Sequence, residues 1–129
     1  MVRNFNKAKN FYKKAEKSSL NSNDPIAIVK TMITELQKSM DKVILSTGID
    51  TQREVRTKSF SRSLVIIYTL QTTLDFDAGE TLATKLFQIY EYCRQQIIKC
   101  FRDQVVDGAK KAINALEDIF ETNRKTLNA

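Results

Sequence analysis

Histidine and tryptophan are absent from the 129 residues; glycine occurs three times, proline once and cysteine twice. Each shortage excludes something. Without histidine there is no imidazole for acid–base catalysis, no Ser-His-Asp triad and no Glu-x-x-His di-iron motif. The glycines stand apart at 48, 79 and 108, so no glycine-rich loop cradles a phosphate. Asp75 and Asp77 lie two apart just ahead of a helix, a spacing that reads as turn and cap rather than as paired catalytic carboxylates. Cys93 and Cys100 fall seven apart in one predicted helix, which sets their Cα atoms about 10 Å apart, too far for a disulfide. Two such thiols do not make a zinc site and read as small buried hydrophobes in a reducing compartment. The expectation is a protein that is not an enzyme and holds no metal or cofactor.

Long apolar runs are also missing. None approaches eighteen residues, so no membrane insertion is expected. The opening MVRNFNKAKNFYKKAEKSS is basic but has no apolar core of a secretory signal, and the chain is read as soluble and cytoplasmic. So little glycine and proline leaves few turns for a sheet. Apolar residues nevertheless make up 42% of the chain, enough for one domain with a core of its own. The net charge of +6 is uneven: residues 1–62 hold 13 Lys/Arg against 6 Asp/Glu, and residues 63–129 hold 8 against 9. Such a balance can attract an acidic partner or form a solvated face.

What is present is helical periodicity. Residues 1–22 carry Phe5, Phe11 and Tyr12 among Lys and Asn without a sustained stripe, and are read as a mobile or loosely docked arm. Asn23-Asp24-Pro25 opens the first helix, with Asp24 as N-cap and Pro25 at the first helical position. Its stripe runs through Val29, Met32 or Ile33, Leu36, Met40 and Val43 or Ile44 to about Leu45, where Gly48 supplies the stop. The second helix is expected from Thr51, with Glu54 completing a capping box. Phe60, Leu64, Ile67, Leu70 or Gln71, and Leu74 form its periodic face. Within it Leu64-Val65-Ile66-Ile67-Tyr68 is apolar on every side, as in a central helix or one that keeps a face for a partner.

Asp75 to Gly79 interrupts this pattern, with Gly79 able to supply a positive φ or a tight turn. A new stripe opens at Leu82 and continues through Leu86, Ile89 or Tyr90, Cys93 and Ile97, giving a third helix from about Glu80 to Phe101. Asp103 is the expected cap of the fourth. That helix shows Val105, Val106, Ala109, Ala112, Ile113, Leu116, Ile119 and Phe120 on a wide stripe, weakened slightly by Gly108. The expected architecture is all-α, an antiparallel up-and-down four-helix bundle with a mobile N-terminal arm. Its boundaries are 1–22 for the arm, 23–122 for the bundle and 123–129 for a frayed tail.

The stretch between residues 74 and 92 resembles the flagellar secretion chaperone family FliS. That family spells its hairpin as Leu-Asp, an acidic residue, a Gly, an apolar-Ala-x-x-Leu step and then Leu-Tyr-Asp-Tyr. The matching residues are Leu74-Asp75, Asp77, Gly79, Leu82-Ala83, Leu86 and Ile89-Tyr90-Glu91-Tyr92, without a gap. Upstream, Tyr12 and Asp24-Pro25 stand where the family has an arm Tyr and a helix-opening Ser-Pro. The sequence departs from the pattern at Glu80, where the family has a second Gly, and at Met32-Ile33-Thr34-Glu35, where it reads Leu-Tyr-Asp-Gly. It departs again at Cys100-Phe101, where the family has Ala-Asn, and in lacking a late Trp.

The resemblance implies a cytoplasmic chaperone that holds the C-terminal helical region of flagellin. It would prevent premature polymerisation and deliver its client to the flagellar type III export apparatus, with an export-gate protein as a further candidate partner. Such a task needs apolar grooves for an amphipathic helix and no catalytic residue. The candidate partner-binding residues are Leu64, Ile67, Tyr68, Leu86, Ile89, Tyr90 and Ile97, with Tyr12 as the arm's cap. For each of the seven helical ones taken singly, plain bundle core is the reading its spacing favours. Tyr68 and Tyr90 stand out because a phenol bridges an apolar groove and a polar rim. Two alternatives are weighed: self-association through the surplus apolar face, and a basic bundle acting on nucleic acid. For the latter, Lys30, Lys38 and Lys42 are only loosely aligned, Gln37 and Asp41 interrupt them and no groove-reading motif is present, so no nucleic-acid partner is expected. The oligomeric expectation is a monomer or a weak homodimer.

Overall fold

The computed structural model describes residues 25–127; the expectations for the arm, for Tyr12 and for Asp24 lie outside the described residues. Four α-helices follow one another: α1 (Pro25–Ser46), α2 (Arg53–Thr72), α3 (Glu80–Asp103) and α4 (Asp107–Leu127). A single 3-10 turn, Asp50–Gln52, precedes α2, and there is no strand among the described residues. Each helix packs on the next, α4 returns to α1, and α1 reaches diagonally to α3. That closed ring is the four-helix bundle read from the sequence, and its short connections make consecutive helices antiparallel.

The periodic stripes supply the core. Met32, Ile33, Leu36, Met40 and Val43 of α1 meet Ile66, Ile67 and Leu70 of α2, and Tyr90, Cys93, Ile97 and Cys100 of α3. α4 answers these larger side chains with Ala109, Ala112 and Leu116. The two cysteines are free thiols, and Cys93 Sγ lies 3.8 Å from the Ala112 carbonyl oxygen. α1 and α2 share the most extensive contact in the bundle, and small residues explain it. Ser46, Ser59 and Ser63 are buried there. Two of the hydroxyls turn back on their own helices: Ser46 donates to the Lys42 carbonyl at 2.7 Å and Ser63 to the Ser59 carbonyl at 2.9 Å. Turning inward on their own helices keeps these groups satisfied while the two backbones approach.

The helix ends depart from the sequence reading in four places. Gly48 does stop α1, with φ +79°, a left-handed conformation that favours glycine. Thr51, however, does not cap α2. It is spent in the 3-10 turn, Gln52 is the N-cap residue and makes no side-chain bond, and Glu54 instead pairs with Lys58 at 3.1 Å. Arg56 secures this corner from α2, donating to the carbonyls of Ser46 and Ile49 at the end of α1.

Gly79 is the second departure, since its φ of −170° is ordinary extended backbone. The reversal there is made by Asp75, whose carboxylate accepts the backbone N–H groups of Asp77 and Ala78, each at 3.1 Å. Leu82, expected to open the stripe of α3, is the third: it lies 54% exposed. Asp103 is the fourth. It closes α3, paired with its neighbour Arg102 at 3.0 Å, and α4 begins only at Asp107. α4 then stays helical to Leu127, with no glycine or proline in its last turns to stop it.

Between α3 and α4 the chain passes through Gln104, which carries φ +60° and donates its N–H to the Cys100 carbonyl at 3.0 Å. A side chain in the left-handed region costs about 1–2 kcal/mol. Gln104→Gly is therefore expected to raise stability by about 0.5–1 kcal/mol, because glycine's greater freedom in the unfolded chain offsets part of the relief. Urea denaturation reads this as a higher midpoint at unchanged slope.

Candidate partner-binding surface

Among the described residues no group of His, Cys, Asp and Glu is placed to hold a metal ion, and no helix is long and apolar enough to cross a membrane. Large apolar side chains are nevertheless exposed, and one set of them lies where α2 runs alongside α3.

Three contacts fix how these helices are registered. Near one end Phe60 of α2 and Phe101 of α3 stack with ring centroids 4.0 Å apart and planes 3° apart. Near the other, Gln71 donates to Glu91 Oε2 at 3.1 Å and to the Phe87 carbonyl at 3.5 Å. Just past α2, Phe76 meets Phe87 at 6.5 Å and 56°. In an antiparallel pair this register sets Tyr68 level with Arg94, and Leu64 level with Ile98. The seam reads from the α2–α3 turn upward as Phe76/Phe87, Gln71/Glu91, Tyr68/Arg94, Leu64/Ile98 and Phe60/Phe101.

The eight candidate residues separate on this frame. Tyr68 is 50% exposed and stands on the outer edge of the seam, with Leu64 half-buried one turn away. Leu86 and Ile89 are half-buried against the core. Ile67 and Ile97 are core residues, and so is Tyr90, only 1% exposed. In this conformation a partner lying on the bundle touches none of those three. Tyr12 lies outside the described residues. Two aromatic residues that the sequence reading left out, Phe76 and Phe87, are both well exposed. The signal was available in their eleven-residue spacing across the turn, but Phe76 read only as part of an interruption and Phe87 stood off the core stripe. A second exposed set, Leu45, Ile49, Val55 and Val105, surrounds the two connections at the opposite end.

Electrostatics follow the same division. Glu91 takes Gln71 on one oxygen and Arg94 on the other, with Arg94 Nε at 2.8 Å. The Arg94 hydrogen bond first, then that of Gln71, holds the Glu91 carboxyl below the usual glutamate range. Glu91 in turn raises the pKa of the Arg94 guanidinium. Inside the core, burial pushes the Tyr90 phenol up to about 12, with Cys93 adding to it, and burial likewise pushes the Cys93 thiol up to about 12. Both are neutral packing groups at ordinary pH. On the outer face of α1, the lysine line is interrupted by Glu35, which pairs with Lys38 at 3.7 Å and with Arg62 at 3.1 Å.

Tyr68, Phe76 and Phe87 thus leave large apolar side chains exposed along the seam between the second and third helices. No curated protein sequence and no solved structure matches the chain. The family model described as "Flagellar protein FliS" matches residues 7–128, which takes in all four helices and the Leu74–Tyr92 spelling. The chain belongs to the flagellar protein FliS family, a family of flagellar export chaperones that bind flagellin-type partners.

Proposed function

We propose that this protein is a cytoplasmic chaperone that holds the C-terminal helical region of a flagellin along the α2–α3 seam. It blocks premature polymerisation and delivers the client to the flagellar type III export apparatus, where an export-gate protein is the second partner. The observation that carries this reading is the placement of Tyr68, Phe76 and Phe87. These are large apolar side chains left well exposed along one helix–helix seam, in a chain whose family is one of flagellar chaperones. A flagellin terminus is amphipathic, with an apolar face that nothing covers before assembly, so a groove edged by aromatics lowers its free energy without chemistry. Leu64 lines the seam, Leu86 and Ile89 support it from below, and Tyr12 is the arm residue that covers it before the client arrives.

The test is co-elution of the full chain with a flagellin from the same cell, intact and with about the last 40 residues removed, a length that wraps several helices when a disordered segment folds on binding. A one-to-one complex with the intact flagellin that is lost on truncation is the expected result. Absence of binding to either form at micromolar concentration removes flagellin as the client. A doubled mass for the chain alone would then point to self-association through the same face.

A further inference from the structure

The α2–α3 seam is not uniformly apolar. Phe76 and Phe87 edge it near the turn, Leu64 and Ile98 edge it farther up, and between them stand Gln71, Glu91 and Arg94. Glu91 spends one carboxylate oxygen on Gln71 and the other on Arg94, whose Nε and Nη2 both point to it. Arg94 remains 44% exposed in its side chain, and its bonds to Glu91 use Nε and Nη2 and leave the Nη1 hydrogens over. A guanidinium has five donors, so an occupant that covers this rung must bring an acceptor or leave a charged donor desolvated, which costs far more than an unmade contact in water.

We infer that the Glu91–Arg94 rung is the specificity-determining element of the seam: it fixes the register of the bound helix by requiring a carboxylate or amide oxygen opposite Arg94. This rests on the proposal above that the seam holds the client. The geometry sets the spacing. Phe87 and Ile98 lie eleven residues apart on α3, about 16 Å at 1.5 Å per residue, with Arg94 between them. The client is therefore an amphipathic helix with two apolar clusters about three turns apart and an oxygen-bearing side chain between. A helix shifted by one residue turns that oxygen away by about 100° and buries the guanidinium unpaired. The apolar rungs give affinity, and the polar rung rejects wrong alignments, as a single buried polar position does in a coiled coil.

The deciding variant is the double exchange Glu91→Arg with Arg94→Glu. It keeps an ion pair of the same composition on the same turn. Gln71, which donates to Glu91, keeps a partner by turning its amide oxygen to the new guanidinium, but the charge presented to the client is reversed. Titration calorimetry against the same flagellin C-terminal segment is expected to show at least a tenfold loss of affinity for the exchanged chain, with an unchanged melting temperature. Arg94→Lys, which keeps charge but loses the fork, is expected to lose less. Wild-type affinity in the exchanged chain overturns the inference. The underlying reading is tested apart from it: if Tyr68→Asp abolishes binding while the exchange does not, the seam holds the client without using the rung. If the unaltered chain binds no flagellin segment, both fall together.

Discussion

Tyr90→Ala is expected to cost the bundle about 3–5 kcal/mol, the range for removing a large buried aromatic side chain. Against a total stability of roughly 5–15 kcal/mol for a domain of this size, that is enough to leave a substantial fraction unfolded at 37 °C. The ring sits 1% exposed within the bundle's core cluster, and a close-packed interior relaxes only partly around such a void. Client binding would be lost as well, but only because the bundle is lost. Tyr90→Phe separates the two contributions of the side chain. It keeps the ring and is expected to change stability at pH 7 by no more than about 1 kcal/mol.

The phenol shows itself in alkali. Tyr90 holds its proton to about pH 12 in the fold against 10.0 when unperturbed, and Cys93 to about 12 against 9.0. Both folded values are raised, so above about pH 9 the unfolded chain releases more protons than the folded one. The stability is fully present below that pH and is lost progressively as pH rises toward 12. Tyr90→Phe should make the loss shallower in a pH series of urea melts. An identical alkaline profile would mean that the phenol has no part in it.

The bundle was legible in the sequence because each stripe has one clear period and the helices need no unusual residue inside them. Met32 to Ile44 and Ala109 to Ile119 fall where periodicity put them. The helix ends were less legible, since several residue types compete for each capping role and the winner depends on the fold. Thr51 lost its place to a 3-10 turn because Arg56 ties the preceding carbonyls. Asp103 lost its place because α3 continues past Phe101 and ends on a left-handed Gln104. The proposed client surface was hardest. Sequence period identifies the stripe facing the core, but it does not tell which apolar residues at the edge of that stripe stay uncovered. Tyr68 and Tyr90 looked equivalent on that basis. Their surroundings differ only through helix rotation: Tyr90 points at the bundle axis, and Tyr68 falls a little beyond the seam it shares with Arg94.

That rotation gives the sharpest test of the surface. Tyr68→Asp places a charge on a half-exposed position with no partner to desolvate, and is expected to change folding stability by less than about 0.5 kcal/mol. Phe87→Asp also breaks the 6.5 Å ring contact with Phe76 and should cost somewhat more, about 1 kcal/mol. Both are expected to weaken binding of a flagellin C-terminal segment by 2–4 kcal/mol, roughly 30- to 1000-fold, as a charge forced into the centre of an apolar interface does. The pairing of a large binding loss with an unchanged melt is the opposite of the pattern for Tyr90→Ala, where binding falls only as far as folding falls. Calorimetry and thermal melts on the same preparations separate them. If instead Tyr68→Asp and Phe87→Asp bind as the unaltered chain does, the client does not lie along the α2–α3 seam. The exposed residues around the opposite connections, Leu45, Ile49, Val55 and Val105, then become the next surface to substitute, because a helix that must hide its apolar face needs several large apolar side chains close together.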